Sequence, residues 1–451
     1  MALAGCSAVG PGYQRPAVDT PLAFKEGQGV WVPAAPADTL ERGPWWQLFD
    51  DPVLNGLAER VTLDNQTVAQ AVAAYAQARA LTAQQRASLL PNVGLDTGAN
   101  RRGGGGATQD SSSYSVSLGG GWEPDVWGRL GRTVDAARGS EQASAADLAA
   151  ARLSAQGELA ADYFGLRGLD VQRSLLAGTI AGYQRNLQIT QNRYTAGIVA
   201  RTDVLQAQTA LANAQAEALS LERQRAQLEH AIAVLVGVAP ASFSLAAQPA
   251  WSISPPPVPV AVPSTLLQRR PDIAAAERRV AAANQQIGIA VAGYYPSLSL
   301  NGSVGLGAAS VGELFSASHL VWSLGVSLAQ TLFNSGLTGA RVEQARASQE
   351  AASARYRQTV LGAFEDVENQ LVASRVLGQQ LALRQQAAEA ASLVEQQVLN
   401  RYTAGQVGYT EVINAQTTAL SARRALVQLQ TDRQTAAVAL MRALGGGWAG
   451  L

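Results

Sequence analysis

The sequence holds few groups that could carry out chemistry. It has one thiol, Cys6, and two imidazoles, His230 and His319, with 34 Lys+Arg balancing 34 Asp+Glu over 451 residues. A catalytic site needs a nucleophile or acid set beside a base. His230 lies among Ala, Leu and Ile in a helical stretch, and His319 opens a strand-like one, with no partner motif beside either. The sequence does not read as an enzyme. Gly103-Gly104-Gly105-Gly106 lacks the following Gly-Lys-Ser/Thr of a phosphate loop and reads as a plain loop. Arg269, Arg270 and Asp272 flank Pro271 as a cap and brace would, with proline in the first turn of a helix. Two histidines and one cysteine exclude finger- or ribbon-type zinc sites and an intrachain disulfide framework. No metal and no cofactor is expected. Zero net charge argues against a nucleic-acid partner, whose footprint would be basic.

The thiol is the exception. Leu3-Ala4-Gly5-Cys6 resembles a lipobox, where small residues admit a peptidase and the cysteine sulfur takes a lipid through a thioether. The five residues ahead of Cys6 carry no basic n-region and no apolar h-region, so the reading rests on those four residues. A lipid there would hold the chain at an envelope membrane. No stretch reaches the ~18 consecutive apolar residues of a transmembrane helix. Charged residues make up 15%, below the ~25% usual in soluble domains, which leaves a β-barrel as the membrane option.

The elements that would position these residues are marked by proline. Prolines cluster between Pro11 and Pro52 and between Pro240 and Pro271, and are absent between Pro124 and Pro240 and after Pro296. Proline breaks helix interiors, so the empty regions can hold very long helices. Leu159, Tyr163, Leu166, Leu169, Leu176, Ile180, Tyr183, Leu187 and Tyr194 recur at steps of three, four or seven, as a helix stripe requires. The spacing predicts a helix from about 132 to 194. A break follows at Ala196-Gly197, then a return helix capped by Thr202-Asp203 and running to about 236. A second stripe from Leu361 to Tyr402 breaks at Ala404-Gly405 and returns from about 410 to 444.

Arg193-Tyr194-Thr195-Ala196-Gly197 recurs unchanged as Arg401-Tyr402-Thr403-Ala404-Gly405, 208 positions on. Leu89 to Leu95 and Tyr294 to Leu300 match around Pro91 and Pro296. The chain is thus two tandem copies of one unit. In each copy a helix of about 30 residues ends at that proline and the period falls to two, the sign of strands. Val93, Leu95, Thr97, Ala99, Tyr114, Val116 and Leu118 alternate strictly; Val321, Leu324, Val326 and Leu328 do so less strictly. About ten residues suits a tilted transmembrane strand. Trp122, Trp127, Tyr294, Tyr295, Trp322 and Phe333 at strand ends would form interfacial girdles. Four strands cannot close a barrel alone. Three chains would supply twelve strands and a hollow lumen, which long helices would extend into a conduit.

These residues resemble the bacterial outer membrane factors, TolC-like channels, in the branch of OprM/NodT-type lipoproteins. The resemblance rests on Leu266-Leu267-Gln268-Arg269-Arg270-Pro271-Asp272-Ile273 with Tyr295-Pro296-Ser297-Leu298, and on Trp122-Glu123-Pro124-Asp125-Val126-Trp127-Gly128-Arg129. Trp45-Trp46-Gln47-Leu48-Phe49-Asp50-Asp51-Pro52 and the two Arg-Tyr-Thr-Ala-Gly turns complete it, over about Pro11 to Leu444. It implies an α+β membrane protein, a homotrimer with a twelve-stranded outer membrane β-barrel continued by a long α-helical periplasmic tunnel. Its parts would be an N-terminal lipoprotein and equatorial segment (1–45), a first repeat (46–240), a Pro-rich equatorial linker (241–263), a second repeat (264–444) and a tail (445–451). Strands are expected at 93–101, 112–122, 297–307 and 319–330, and hairpin turns at 194–203 and 402–411.

The function implied is passive export of drugs or other small molecules through the outer membrane channel of a tripartite efflux pump. A periplasmic adaptor and an inner membrane pump of the resistance-nodulation-division (RND) type would be its partners, with outer membrane lipid around the barrel and on Cys6. The alternatives are the exit duct of a type I protein secretion system and a lipid-tethered periplasmic coiled-coil scaffold. By motif position Thr410 and Asn414 fall where relatives narrow the pore; relatives often carry a carboxylate at the second. Asp203 and Glu411 are neighbouring carboxylates that could serve the gate instead, while Asp203 also suits an ordinary helix cap. Tyr194, Gly197, Tyr402 and Gly405 at the turns are expected to meet the adaptor.

Overall fold

The computed structural model describes residues 8–21, 23–26, 44–104, 111–252, 254–256 and 270–446. Cys6, Arg269 and much of the Pro-rich linker lie outside them, as do Gly105 and Gly106. The chain divides into two compact units. The first joins Met1–Val18, Ala73–Ala146 and Ala274–Thr359, and the second Asp19–Val72, Asp147–Ile273 and Val360–Leu451. Both repeats contribute to each unit.

The helices are α1 (Pro52–Asp64), α2 (Gln66–Ala87), α3 (Arg129–Thr195), α4 (Arg201–Leu235), α5 (Pro271–Ala292), α6 (Leu337–Thr403) and α7 (Tyr409–Ala443). The strands are β1 (Asn92–Arg102), β2 (Ser111–Trp122), β3 (Ser297–Ala308) and β4 (Leu320–Ala329). The long helices α3 and α6 each have 67 residues, about 100 Å at ~1.5 Å per residue. The return helices α4 and α7 each have 35. No helix of the described residues is long and apolar enough to cross a membrane.

In the first unit the strands form one antiparallel sheet in the order β1-β2-β3-β4. The register sorts side chains into two unlike faces. Leu95, Leu118, Val304 and Trp322 stand in one row, and Thr97, Val116, Leu306 and Leu320 in the next. The opposite face carries Gly94, Gly119, Ser303 and Ser323 in a row, with Asp96, Ser117, Gly305 and Val321 beside them. Hydroxyl pairs tie that face: Ser299 to Ser327 at 2.6 Å and Ser303 to Ser323 at 2.8 Å. The alternation in β4 is stricter than the sequence suggested, because Trp322 belongs to the apolar row and Val321 to the polar face. The apolar face is bare: Val326 is 68% exposed and Leu328 69%.

Five of the six girdle aromatics sit at the end of the sheet where the strands meet helices; Trp322 is at the other. Trp122 Nε1 donates to Leu89 O (2.9 Å) and Trp127 Nε1 to Pro296 O (2.7 Å), with Trp127 packed on Tyr295. Asp125 caps α3, accepting from Leu130 N at 2.9 Å and Gly131 N at 2.6 Å. The Trp122–Arg129 motif is therefore a strand-to-helix joint. Residues after Val9 lie along this unit: Arg132 donates to Gly10 O and Pro11 O, and Tyr13 donates to Glu277. Burial first, then the Glu277 carboxylate, raises the Tyr13 phenol.

In the second unit Trp45, Phe49, Leu54, Leu159, Tyr163, Phe164 and Ile232 form an aromatic-rich core. Full burial of each large apolar side chain contributes roughly 1.5–3 kcal/mol. The Trp45–Pro52 motif feeds this core, and Asp51 caps α1 through Val53 N and Leu54 N while accepting from Tyr163 Oη at 2.6 Å. The helix expected to span about 30 residues before Pro91 is broken at Asn65. Its side chain caps α2 through Val68 N and donates to Leu235 O. The corresponding helix before Pro296, α5, is 22 residues long.

Candidate functional site

The two helical hairpins, α3–α4 and α6–α7, share lengths and a fixed offset of 208, from Arg129 to Leu337 and from Arg201 to Tyr409. Every residue of one hairpin therefore has a counterpart in the other. Both turns close by the same backbone bonds. Ile198 N donates to Arg193 O and Gly197 N to Tyr194 O; Gln406 N donates to Arg401 O and Gly405 N to Tyr402 O. These pairings require a residue in the left-handed region, and Gly197 (φ 74°) and Gly405 (φ 77°) supply it.

The side chains at the two turns differ sharply. Tyr402 is 3% exposed and Tyr194 is 41%. The Arg193 guanidinium lies 4.7 Å above the Tyr402 ring, and its Nη1 donates to Tyr402 O at 2.7 Å. The Tyr402 hydroxyl meets Thr190 Oγ1 at 3.3 Å, and its ring packs on Tyr409 at 5.3 Å. Tyr409 is itself buried, which with the neighbouring Tyr402, Tyr183 and Asp203 pushes its phenol up to about 12. Ala207 and Val412 complete this cluster.

Along the hairpins α4 and α7 flank a cleft of about 970 Å³ floored by Leu176 and Tyr183 of α3. Its rim is polar. Thr410 Oγ1 donates to Gln206 Oε1 at 3.4 Å, and Arg424 pairs with Glu217 at 2.6 Å. Thr410 is thus at the cleft mouth. Asn414 is exposed one turn further along α7, and Glu411 is exposed in the first turn of that helix. Asp203 is half-buried in the first turn of α4. It is not the helix cap: α4 begins at Arg201, its cap position is Ala200, and no side chain caps it. The backbone bond from Asp203 N to Ala200 O closes the turn instead. The four expected gate residues therefore lie at the starts of α4 and α7. Of the four turn residues, Tyr194, Gly197 and Gly405 are exposed, while the Tyr402 side chain is packed inside.

Sequence reasoning missed a buried ionic network at the base of the first hairpin. Asp170 accepts from Arg167 Nη1 (3.0 Å), Arg225 Nε (2.7 Å) and Gln248 N (3.0 Å). Arg225 reaches Glu229 and Leu245 O, Glu229 accepts from Leu245 N, and Arg167 donates to Ala246 O. The network clamps the segment after α4 to the hairpin. Its signal was charge at three- and four-residue spacing inside an apolar stripe. At the second hairpin Arg270 joins Asp272, Asp366 and Ala443 O, which makes the Arg-Pro-Asp motif the brace expected of it. Among the described residues, no group of three or more His, Cys, Asp or Glu could hold a metal ion.

A sheet with one lipid-compatible face, joined to paired helical hairpins in two repeats, defines a class of membrane channel proteins. The model of the outer membrane efflux protein family matches the chain twice, over residues 57–238 and 262–446. The chain belongs to that family. It is 31% identical to the pyoverdine export outer membrane protein OpmQ of Pseudomonas aeruginosa, over 99% of this chain and 96% of that one. It is 27% identical to the cation efflux system protein CusC of Escherichia coli, over 99% and 97%. The solved outer-membrane channel OprN superposes with a TM-score of 0.88 at 30% identity, covering 98% of this chain and 99% of that one. The fold is TolC-like, the protein resides in the outer membrane, and its function is efflux.

Proposed function

We propose that three copies assemble into the exit duct of a tripartite pump that exports small molecules. The observation that carries this is the sheet. Among the described residues its outer strands β1 and β4 each leave one edge unpaired, and its apolar face is continuous across all four strands. In hydrocarbon an unpaired strand edge leaves backbone groups without partners, at several kcal/mol each. Pairing β1 of one copy with β4 of the next removes both edges. Three such pairings give about twelve strands, with the Ser/Gly face lining a polar lumen.

The hairpins then form the periplasmic tunnel. Asp203, Thr410, Glu411 and Asn414, at the starts of α4 and α7, narrow its entrance. The turns carry the periplasmic adaptor, with Gly197 and Gly405 at the surface and the Tyr194 and Tyr402 rings supporting them from beneath. An inner membrane pump of the RND type supplies the energy, and a lipid on Cys6 adds a second anchor. The mass of the detergent-extracted particle, corrected for bound detergent, tests the assembly. Three times 47.0 kDa is expected. A monomer that stays soluble without detergent would sink the reading. Gly405→Val should leave trimers intact and impair pump assembly, measured as lost drug resistance in cells; unchanged resistance would remove the turn from the docking surface.

A further inference from the structure

We infer that Arg401 of one copy clasps Tyr194 of the next, and that the tunnel entrance opens along this seam between copies rather than along the seam within each chain. The inference rests on the three-copy reading and deepens it.

The offset of 208 relates the seam inside the chain to the seam between chains. Inside, the first hairpin meets the second, and Arg193 covers Tyr402. In a closed ring of alternating hairpins, the second hairpin of one copy meets the first hairpin of its neighbour. The residues in the equivalent places are Arg401 and Tyr194, 208 positions from Arg193 and Tyr402. Both are exposed within the chain, whereas their counterparts are half-buried and buried. A guanidinium and an aromatic face left bare on opposite flanks of one chain are complementary to each other in a second copy.

The same offset of 208 shows what this seam lacks. The Thr190 hydroxyl that meets Tyr402 is replaced by Val398. The Glu217–Arg424 ion pair is replaced by Ala425 and Ala216. The Thr410–Gln206 contact is replaced by Thr202 and Asn414, which keep a hydroxyl and an amide there. At these places the seam within the chain thus has an ion pair and a hydroxyl contact that the side chains of the seam between copies do not supply. The cation on the ring is common to both seams, as are polar pairs at Thr202–Asn414 and at Gln380–Ser220, the equivalents of Gln172–Gln428; of these the clasp lies at the turns themselves, where the weaker seam is shut.

Tyr194→Cys combined with Arg401→Cys, treated with a short bifunctional thiol reagent, tests the clasp. Arg193→Cys with Tyr402→Cys is the control within the chain, and each single variant controls for Cys6. Covalent trimers on a denaturing gel are expected from the first pair, and intrachain links from the second. A particle of trimer mass in which the control links and the first pair does not would overturn the clasp and leave the three-copy reading standing. A monomeric particle would overturn both. Arg401→Ala should also raise single-channel conductance or opening frequency in planar bilayers, by about two- to five-fold per clasp lost. No change in either would equally overturn the seam as the place of opening.

Discussion

The two hairpins have the same lengths and the same turns, yet they are held in opposite ways. The first is fastened at its base by charges buried within it, with the Asp170 side chain fully covered and the Arg225 side chain 11% exposed. At the equivalent places the second has Gly378 and Arg433, and Ala437 stands for Glu229. It is fastened from outside instead. Arg375, the counterpart of Arg167, pairs with Glu26; Glu368 accepts from Lys25 N and Glu26 N; and Phe24 packs on Phe364. A buried network resists separation because any broken pair leaves a desolvated charge, whereas an exposed pair exchanges readily with water. The two copies of the unit thus share their backbone plan and differ in how each hairpin is fastened at its base.

That contrast is broken most directly at Asp170. Asp170→Ala leaves Arg167 and Arg225 buried without their shared partner and should cost about 3–5 kcal/mol. Arg375→Ala, at the matching base of the second hairpin, should cost about 0–1 kcal/mol, because that pair is partly in water. Thermal unfolding of the purified protein compares them; equal losses would mean the hairpins are held alike.

A smaller effect sharpens the comparison at the packing between α3 and α7. A Cβ on Gly168 would lie 2.2 Å from Thr431 Oγ1, so the helices meet there only because Gly168 has no side chain. Gly168→Ala should cost about 1–3 kcal/mol by overpacking. Adding Thr431→Ala should recover most of it, in a double-mutant cycle followed by thermal unfolding. The counterpart of Gly168 is Val376, a branched residue at the same place in the second repeat. At the turns, Tyr402→Phe removes the Thr190 contact and should cost about 0.5–1 kcal/mol. Tyr194→Phe should cost less than Tyr402→Phe by the same melt, since Val398 stands where Thr190 would be.

Much of this was legible in the sequence for physical reasons. Helix stripes, the change to period two and the repeated turn each follow from backbone geometry that only certain residues satisfy. Strand ends lie within one residue of the expected ones because proline and glycine mark them; in β4 only Val321, grouped by the sequence with Leu324, Val326 and Leu328, takes the other face. The start of α4 was misplaced because Asp203 has the chemistry of a cap without the position of one. That Asp203, Thr410, Glu411 and Asn414 lie together at the hairpin ends, beside the two turns, was legible from the breaks at Gly197 and Gly405. The difference between Tyr194 and Tyr402 was not, because identical five-residue turns acquire different burial only from the neighbour each meets. The Asp170 network was equally hidden: Arg167 and Asp170 look like a surface pair until tertiary packing covers them.

The smallest expected effect lies one turn above that network. Desolvation, with Glu158 four residues earlier on α3, pushes the Asp162 carboxyl up to about 6. At the equivalent places the second hairpin has Gln370, which cannot ionise, and Asp366, which is matched by Arg270 at 3.0 Å. A carboxyl raised in the folded state favours folding fully below its unfolded value near 4, and that contribution is lost as pH rises through about 6. Asp162→Gln, which copies the second repeat, should therefore leave the melting temperature little changed near pH 4.5. It should raise the melting temperature by about 1–2 °C at pH 7.5, because a half-exposed carboxylate is partly screened by water and contributes under about 1 kcal/mol. Melting curves of both proteins across that range decide it. A constant difference between them would show that Asp162 does not titrate there, and that the two hairpins do not differ in their response to pH at this turn.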